Sequence, residues 1–353
     1  MQKIGLLTFH RTTNFGSYLQ TYGLYKKISD MGYCCEIIDY RCPAVEKREN
    51  LNKNTANGLK DLLKRILFQY ALDRKAKALS AFSMENMNFS RPYTPENINE
   101  ANSDFDVFIV GSDIVWGLDI TECDYNYFLK FVADGKRMYA FSSSVGTENK
   151  EHMADIGSLL RRFDRITVRE SSMVKWVKEI SGCNAEWVCD PTMLLDADEW
   201  KTVIPFEQLE SDYVLVYFNN PDKKTIRDAI EYGTKYGKKV LYISYGLPES
   251  GVKNIKPKSL NEFLSYIFYA DHIFTASYHG MLFSLYFNKE MTFYTRDHAD
   301  RMISLSERLG IQEQCGDNKT EKSYKPIPYE TVDLKINEFR QESISVLKKM
   351  LLG

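Results

Sequence analysis

The chain has 353 residues, which at roughly 100–200 residues per domain points to two domains. Its 46 basic and 48 acidic side chains leave a formal charge of −2, which excludes a face that binds nucleic acid by charge alone. A hydrophobic share of 44% with 23 Tyr and 20 Phe excludes disorder, and the longest apolar runs fall far short of the roughly 20 residues of a membrane span.

The first strand is predicted at Lys3 to Phe9, too short an apolar run for a signal-peptide core, so a cytoplasmic protein is expected. A helix at Ser17–Met31 and a strand at Glu36–Tyr40 follow. Further strands are predicted at Val107–Val110, Arg137–Phe141, Arg165–Val168 and Glu186–Val188, with helices over 149–162 and 170–180. Strands alternating with helices are the signature of βαβ units around a parallel sheet. A boundary is placed in Asp196–Ser211, where Asp196 and Glu199 have capping-box spacing. A second alternating series runs Tyr213–Phe218, helix 222–236, Lys239–Ser244, helix 259–269, His272–Thr275, helix 279–287 and Met291–Tyr294. The expected fold is α/β, with two Rossmann-like domains facing a cleft. The expected divisions are 1–196 and 197–329, with a helix in 330–353 packing back on the first domain.

One insertion, about 41–82, breaks the pattern. Arg41–Lys77 carries ten basic against four acidic residues, and Leu59, Leu62, Leu63, Ile66, Leu67 and Tyr70 fall at helical spacing. It reads either as a core-packed helix with a solvated basic face, or as a docking surface, through 58–80, for the inner face of the membrane or a lipid-linked diphosphate. The seven cysteines never form a C-x-x-C and read as reduced thiols, with no metal site.

Ligands of open α/β sheets bind beyond the carboxyl ends of the strands, so the chemistry is sought there. After the first strand, Asn14, Gly16, Ser17 and Gln20 open a helix whose amides suit an anion or a sugar hydroxyl, or else Asn14 or Ser17 simply caps it. Gly111-Ser112-Asp113-Ile114-Val115-Trp116 offers a carboxylate beside an aromatic face, a sugar platform or a packed loop. Ser143 lies in a run of small hydroxyls. Arg169 suits a carboxylate or phosphate, or else pairs with Glu170 or Asp164. In the second half, Thr275-Ala276-Ser277-Tyr278-His279-Gly280 sets His279 at a helix start, with Gly280 beside it for close approach to backbone amides. Arg296, His298 and Arg301 lie downstream, as phosphate clamps or as surface charges.

Taken in order, KIGLLTFHRTTNFGSYLQTYGL (Lys3–Leu24), FDVFIVGSDIVW (Phe105–Trp116), VRE (Val168–Glu170), CDPTMLL (Cys189–Leu195), TASYHG (Thr275–Gly280) and RMISLSERLGI (Arg301–Ile311) resemble the polysaccharide pyruvyl transferase family. The resemblance implies a GT-B-like fold. It also implies transfer of the pyruvyl unit of phosphoenolpyruvate onto two hydroxyls of a glycan sugar, free or lipid-linked, forming a cyclic ketal in cell-surface or capsular polysaccharide synthesis. Phosphoenolpyruvate is then a co-substrate, with no resident cofactor and no metal. His279 matches the family's functional histidine, and Arg169 a position tied to the donor's anionic groups. Some branches carry arginine where this chain has Ser277, so donor neutralisation falls to Arg301, Arg296 or Arg11. On this reading His279 moves the proton; Arg169, Ser277, Tyr278 and the amides at Gly280 hold the donor; and Asn14, Gly16, Ser17, Gln20, Ser112, Asp113, Trp116 and Ser143 hold the acceptor. The competing readings are a nucleotide-sugar glycosyltransferase, although no G-x-G-x-x-G is present, and an inactive glycan-binding homologue.

Overall fold

The computed structural model describes residues 2–50, 59–146, 152–218, 222–296, 299–318 and 324–352, the side chains of 50, 59–68 and 318 excepted. They fall into two compact units, the first drawn from 1–54, 80–195 and 337–353 and the second from 55–79 and 196–336. The middle of the predicted insertion thus clusters with the second unit.

Unit 1 holds a seven-stranded parallel sheet of β1 (Lys3–Leu7), β2 (Cys34–Tyr40), β3 (Phe89–Tyr93), β4 (Val107–Val110), β5 (Arg137–Ser143), β6 (Arg165–Val168) and β7 (Ala185–Trp187), in the order β3-β2-β1-β4-β5-β6-β7. A parallel sheet is covered on both faces, which is why β4 reads VFIV and buries all four residues. The helices of this half are α1 (Phe15–Asp30), α2 (Pro43–Asn50), α3 (Leu59–Asn86, shared with unit 2), and the short α4 (Ala101–Asp104) and α5 (Leu118–Thr121), then α6 (Met153–Leu160) and α7 (Ser172–Ser181). β1 leads leftward to β2 and β3, and the chain then crosses to β4 on the other side of β1. The order therefore reverses between β1 and β4, the point at which doubly wound sheets open a crevice.

Unit 2 holds β8 (Tyr213–Tyr217), β9 (Lys239–Ile243), β10 (Lys253–Ile255), β11 (His272–Thr275) and β12 (Met291–Phe293), parallel in the order β10-β9-β8-β11-β12, so its reversal lies between β8 and β11. Its helices are α8 (Ala197–Val203), α9 (Lys223–Tyr236), α10 (Leu260–Phe268), α11 (Tyr278–Tyr286) and α12 (Asp300–Leu309). The Asp196–Glu199 capping box forms at the start of α8. A final helix, α13 (Tyr329–Leu352), belongs to unit 1 from residue 337 onward. There Ser343 Oγ accepts from the Cys189 amide at 2.9 Å, Arg340 Nε donates to the Met193 carbonyl at 2.6 Å, and Phe339 packs edge-on against Trp187.

The sequence reading does not place β3, β10, α4 or α5: β3 contains Pro92 and β10 is three residues long, both properties of edge strands, and α4 and α5 are single turns; α12 extends the helix start read near Arg301. Of the predicted insertion stripe, 59–67 lie outside the described side chains, while Tyr70 is 61% exposed. Further along α3, Lys75 is buried with its ammonium 4.5 Å from the Tyr245 ring. Among the described residues no helix is long and apolar enough to cross a membrane.

Candidate functional site

The reversal in unit 1 carries a buried polar network. α1 is capped by Asn14, whose Oδ1 accepts from Gly16 N at 2.9 Å, so these two residues build the helix start that the capping alternative describes. One turn in, Ser17 Oγ donates to Asp113 Oδ2 at 2.6 Å. Asp113 Oδ1 accepts from the Ile114 amide at 2.9 Å and lies 3.7 Å from Arg169 Nη2. Asp113 is in the left-handed region, with φ of 74°, and a Cβ on Gly111 just before it would stand 2.1 Å from the Phe141 carbonyl oxygen. The Asp113 carboxylate reaches α1 with its side chain 13% exposed.

The residues around it are interior. Gln20 is fully buried; its amide donates to Thr8 Oγ1 at 3.0 Å and its Oε1 accepts from Ser112 N at 3.2 Å. Ser143 Oγ donates to the Val110 carbonyl at 3.1 Å, and Ser112 is likewise fully buried. Trp116 is also fully buried, with its indole donating to the Tyr127 carbonyl at 3.0 Å and its ring stacked on Phe128. Gln20, Ser112, Trp116 and Ser143, which the sequence assigns to an acceptor, form the interior frame that holds Asp113, and Trp116 is core because its apolar ring has a wall to pack on.

Arg169, which the sequence assigns to the donor, is interior as well. Its side chain is 0% exposed and faces Asp190 at 3.3 Å, Glu170 at 3.5 Å and Asp113 at 3.7 Å, so the anions it neutralises belong to the protein. Glu170 Oε1 in turn accepts from Ser144 Oγ at 2.8 Å, and Asp190 Oδ1 accepts from the Thr192 hydroxyl and amide. The pairing of Arg169 with Glu170 was an open alternative in the sequence. Asp190 was quoted only within CDPTMLL, although D-P-T, an Asx cap with Pro at the first helical position, is its signal. Arg11 is bidentate on Asp39 at 2.6 and 2.8 Å, with His10 Nε2 at 3.0 Å from the same carboxylate. Burial alone would raise Asp39, but hydrogen bonds from His10 and Arg11 and their charges hold it well below the usual carboxylate range.

In unit 2 the reversal is closed by Thr275 Oγ1, which donates to the Tyr217 carbonyl at 2.7 Å and accepts from Ser277 N at 3.1 Å. Ser277 is the N-cap of α11 and its Oγ accepts from the Gly280 amide at 3.5 Å. The position that carries arginine in some family branches thus holds the helix cap here. Gly280 is a packing glycine: a Cβ would stand 2.3 Å from Thr275 Oγ1 and 2.9 Å from the Tyr217 ring, and its amide faces the Ser277 cap at 3.5 Å. Burial pushes the Tyr217 phenol up to about 12. His279 is the second residue of α11, 7% exposed, with its ring 5.9 Å from that of Tyr278. The half-buried Arg301, at the start of α12, places its guanidinium 5.3 Å from the Tyr278 ring. Tyr278 thus has His279 beside it in the chain and the Arg301 guanidinium near its ring. Arg296 is not part of this group: it donates to Asp222 at 2.6 Å and Asp317 at 2.8 Å, which ties α9 to the segment after β12. His298 lies outside the described residues. Among the described residues no three His, Cys, Asp or Glu side chains gather as a metal set.

The polysaccharide pyruvyl transferase family model matches residues 14–298, and the chain belongs to that family. Comparison with curated proteins found no match. Among solved structures, the UDP-GlcNAc 2-epimerase from Neisseria meningitidis is similar with a TM-score of 0.57 at 10% identity, covering 100% of both chains. A putative UDP-N-acetylglucosamine 2-epimerase from Listeria monocytogenes gives 0.52 at 11% identity over 97% of this chain and 89% of its own. The UDP-GlcNAc 2-epimerase from Methanocaldococcus jannaschii gives 0.50 at 11% identity over 99% of each. At such identities the likeness establishes the fold, which is GT-B-like.

Proposed function

From that family membership we propose that the protein transfers the pyruvyl unit of phosphoenolpyruvate onto two hydroxyls of a glycan sugar of a cell-surface polysaccharide, in the cytoplasm. The observation that carries the reading is the position of His279, in the first turn of the helix that follows the reversal-point strand of unit 2. His279 delivers a proton to the methylene carbon of the donor, leaving an oxocarbenium-like centre at C2. An acceptor hydroxyl adds there, phosphate leaves, and the second hydroxyl closes the ketal as its proton is lost. Net, one phosphoenolpyruvate and one diol give one ketal and one inorganic phosphate.

Arg301, whose guanidinium stands 5.3 Å from the Tyr278 ring at the start of α12, is the cation assigned to the donor. The acceptor is assigned to Asp113 and Ser17, whose carboxylate and hydroxyl can accept and donate to a sugar diol. The reading is tested by phosphate release from phosphoenolpyruvate across a panel of lipid-linked and synthetic glycans. Release that depends on one acceptor, with a product heavier by a pyruvyl ketal, supports it. Glycan binding with no release from any acceptor overturns it in favour of an inactive homologue.

A further inference from the structure

Outside both reversal points, the loop between α5 and the turn at Tyr125–Phe128 sets an exposed cysteine against a histidine. Cys123 Sγ lies 3.6 Å from His152 Nε2, and Tyr125 Oη lies 3.1 Å from His152 Nδ1 and 3.4 Å from Asp155 Oδ2. The order of protons along this chain follows from its end. A carboxylate only accepts, so the Tyr125 hydroxyl donates to Asp155, Nδ1–H donates to the Tyr125 oxygen, and the lone pair left on Nε2 faces the thiol.

We propose that Cys123 is a modification site, a nucleophilic thiol served by His152 that exchanges with low-molecular-weight disulfides. His152 Nε2 takes the thiol proton, the thiolate attacks one sulfur of the disulfide, and a mixed disulfide forms on Cys123. The other half leaves as a thiolate and takes the proton from the imidazolium, so Cys123 is oxidised and one half of the reagent is reduced. Cys123 has the exposure this needs, whereas Cys35, Cys42, Cys189 and Cys315 are buried.

The test uses bis(2-hydroxyethyl) disulfide, a neutral probe, on the full chain, with peptide mass mapping of each cysteine over time. Cys34, also exposed, is the internal reference in the same molecule. Cys123 is expected to react about tenfold faster than Cys34 in the native protein, and His152→Gln to bring it down to the Cys34 rate. Tyr125→Phe, which removes the hydroxyl between His152 Nδ1 and Asp155 while leaving both Cys123 and His152 in the chain, is expected to give an intermediate rate. Equal rates at Cys123 and Cys34 in the native chain, a comparison no folding defect can disturb, overturn the proposal, as does an unchanged Cys123 rate in His152→Gln.

Discussion

Arg169 and His279 are both polar side chains placed just after strands, and the difference between them is environment. A fully buried guanidinium facing three carboxylates holds a network together, because removing it strands negative charge in the interior. Arg169→Met is therefore expected to cost ~3–5 kcal/mol in urea unfolding, a figure for breaking a buried pair, with part of it recovered in Arg169→Met/Asp190→Asn. Were Arg169 a donor ligand only, the midpoint would hold while phosphoenolpyruvate binding fell. His279→Ala carries the opposite expectation: acceptor-dependent phosphate release drops by ~10²–10⁴-fold, the usual share of a proton-transfer group, with a far smaller shift in the urea midpoint than Arg169→Met gives. Asp39 supplies a pH signature. Its folded-state pKa is depressed, so its contribution is fully present above the ordinary carboxylate range and is lost as pH falls below about 4. Asp39→Asn should be less stable at neutral pH and show a shallower acid limb than the native chain in urea midpoints measured from pH 7 down to 3.

At the level of elements, the reversal strands and their helices are legible because their signals are local: the polar turns after β1 and β11 and the hydrophobic runs between them. What stayed hidden depends on packing at a distance. Nothing local says that Trp116 stacks on Phe128 in the core, that Gln20 bonds Ser112 across 92 positions, or that Arg169 meets Asp190. Gly280 shows the same limit. The sequence offers a glycine beside a histidine, and only the β8–α11 contact reveals that its missing side chain makes room for Thr275 and Tyr217. Gly280→Ala forces a methyl against both and is expected to cost ~1–3 kcal/mol by thermal or urea unfolding, as overpacked sites do. It should lower phosphate release as well, since a shifted α11 carries His279 with it, whereas Asp196→Ala, which loses only the α8 cap, should cost ~1 kcal/mol and leave release untouched.

Over the whole molecule, a formal charge of −2 conceals many cations, and most of those placed at strand ends are already answered by carboxylates: Arg11 by Asp39, Arg169 by Asp113, Glu170 and Asp190, Arg296 by Asp222 and Asp317. Such a chain has no general field that attracts anions, so a charged donor would be held by local groups, and the place proposed for it is the His279–Tyr278–Arg301 group. The GT-B-like fold of the chain is shared with UDP-sugar enzymes, yet fold likeness says nothing of which donor a site prefers. The two donors separate in a thermal-shift experiment, because a ligand that binds only the folded state stabilises it in proportion to the logarithm of its excess over Kd. Phosphoenolpyruvate should raise the midpoint, Arg301→Ala should abolish that rise, and UDP-GlcNAc should leave the midpoint unmoved. A rise with UDP-GlcNAc alone would assign the fold its sugar-nucleotide role and remove phosphoenolpyruvate as the donor.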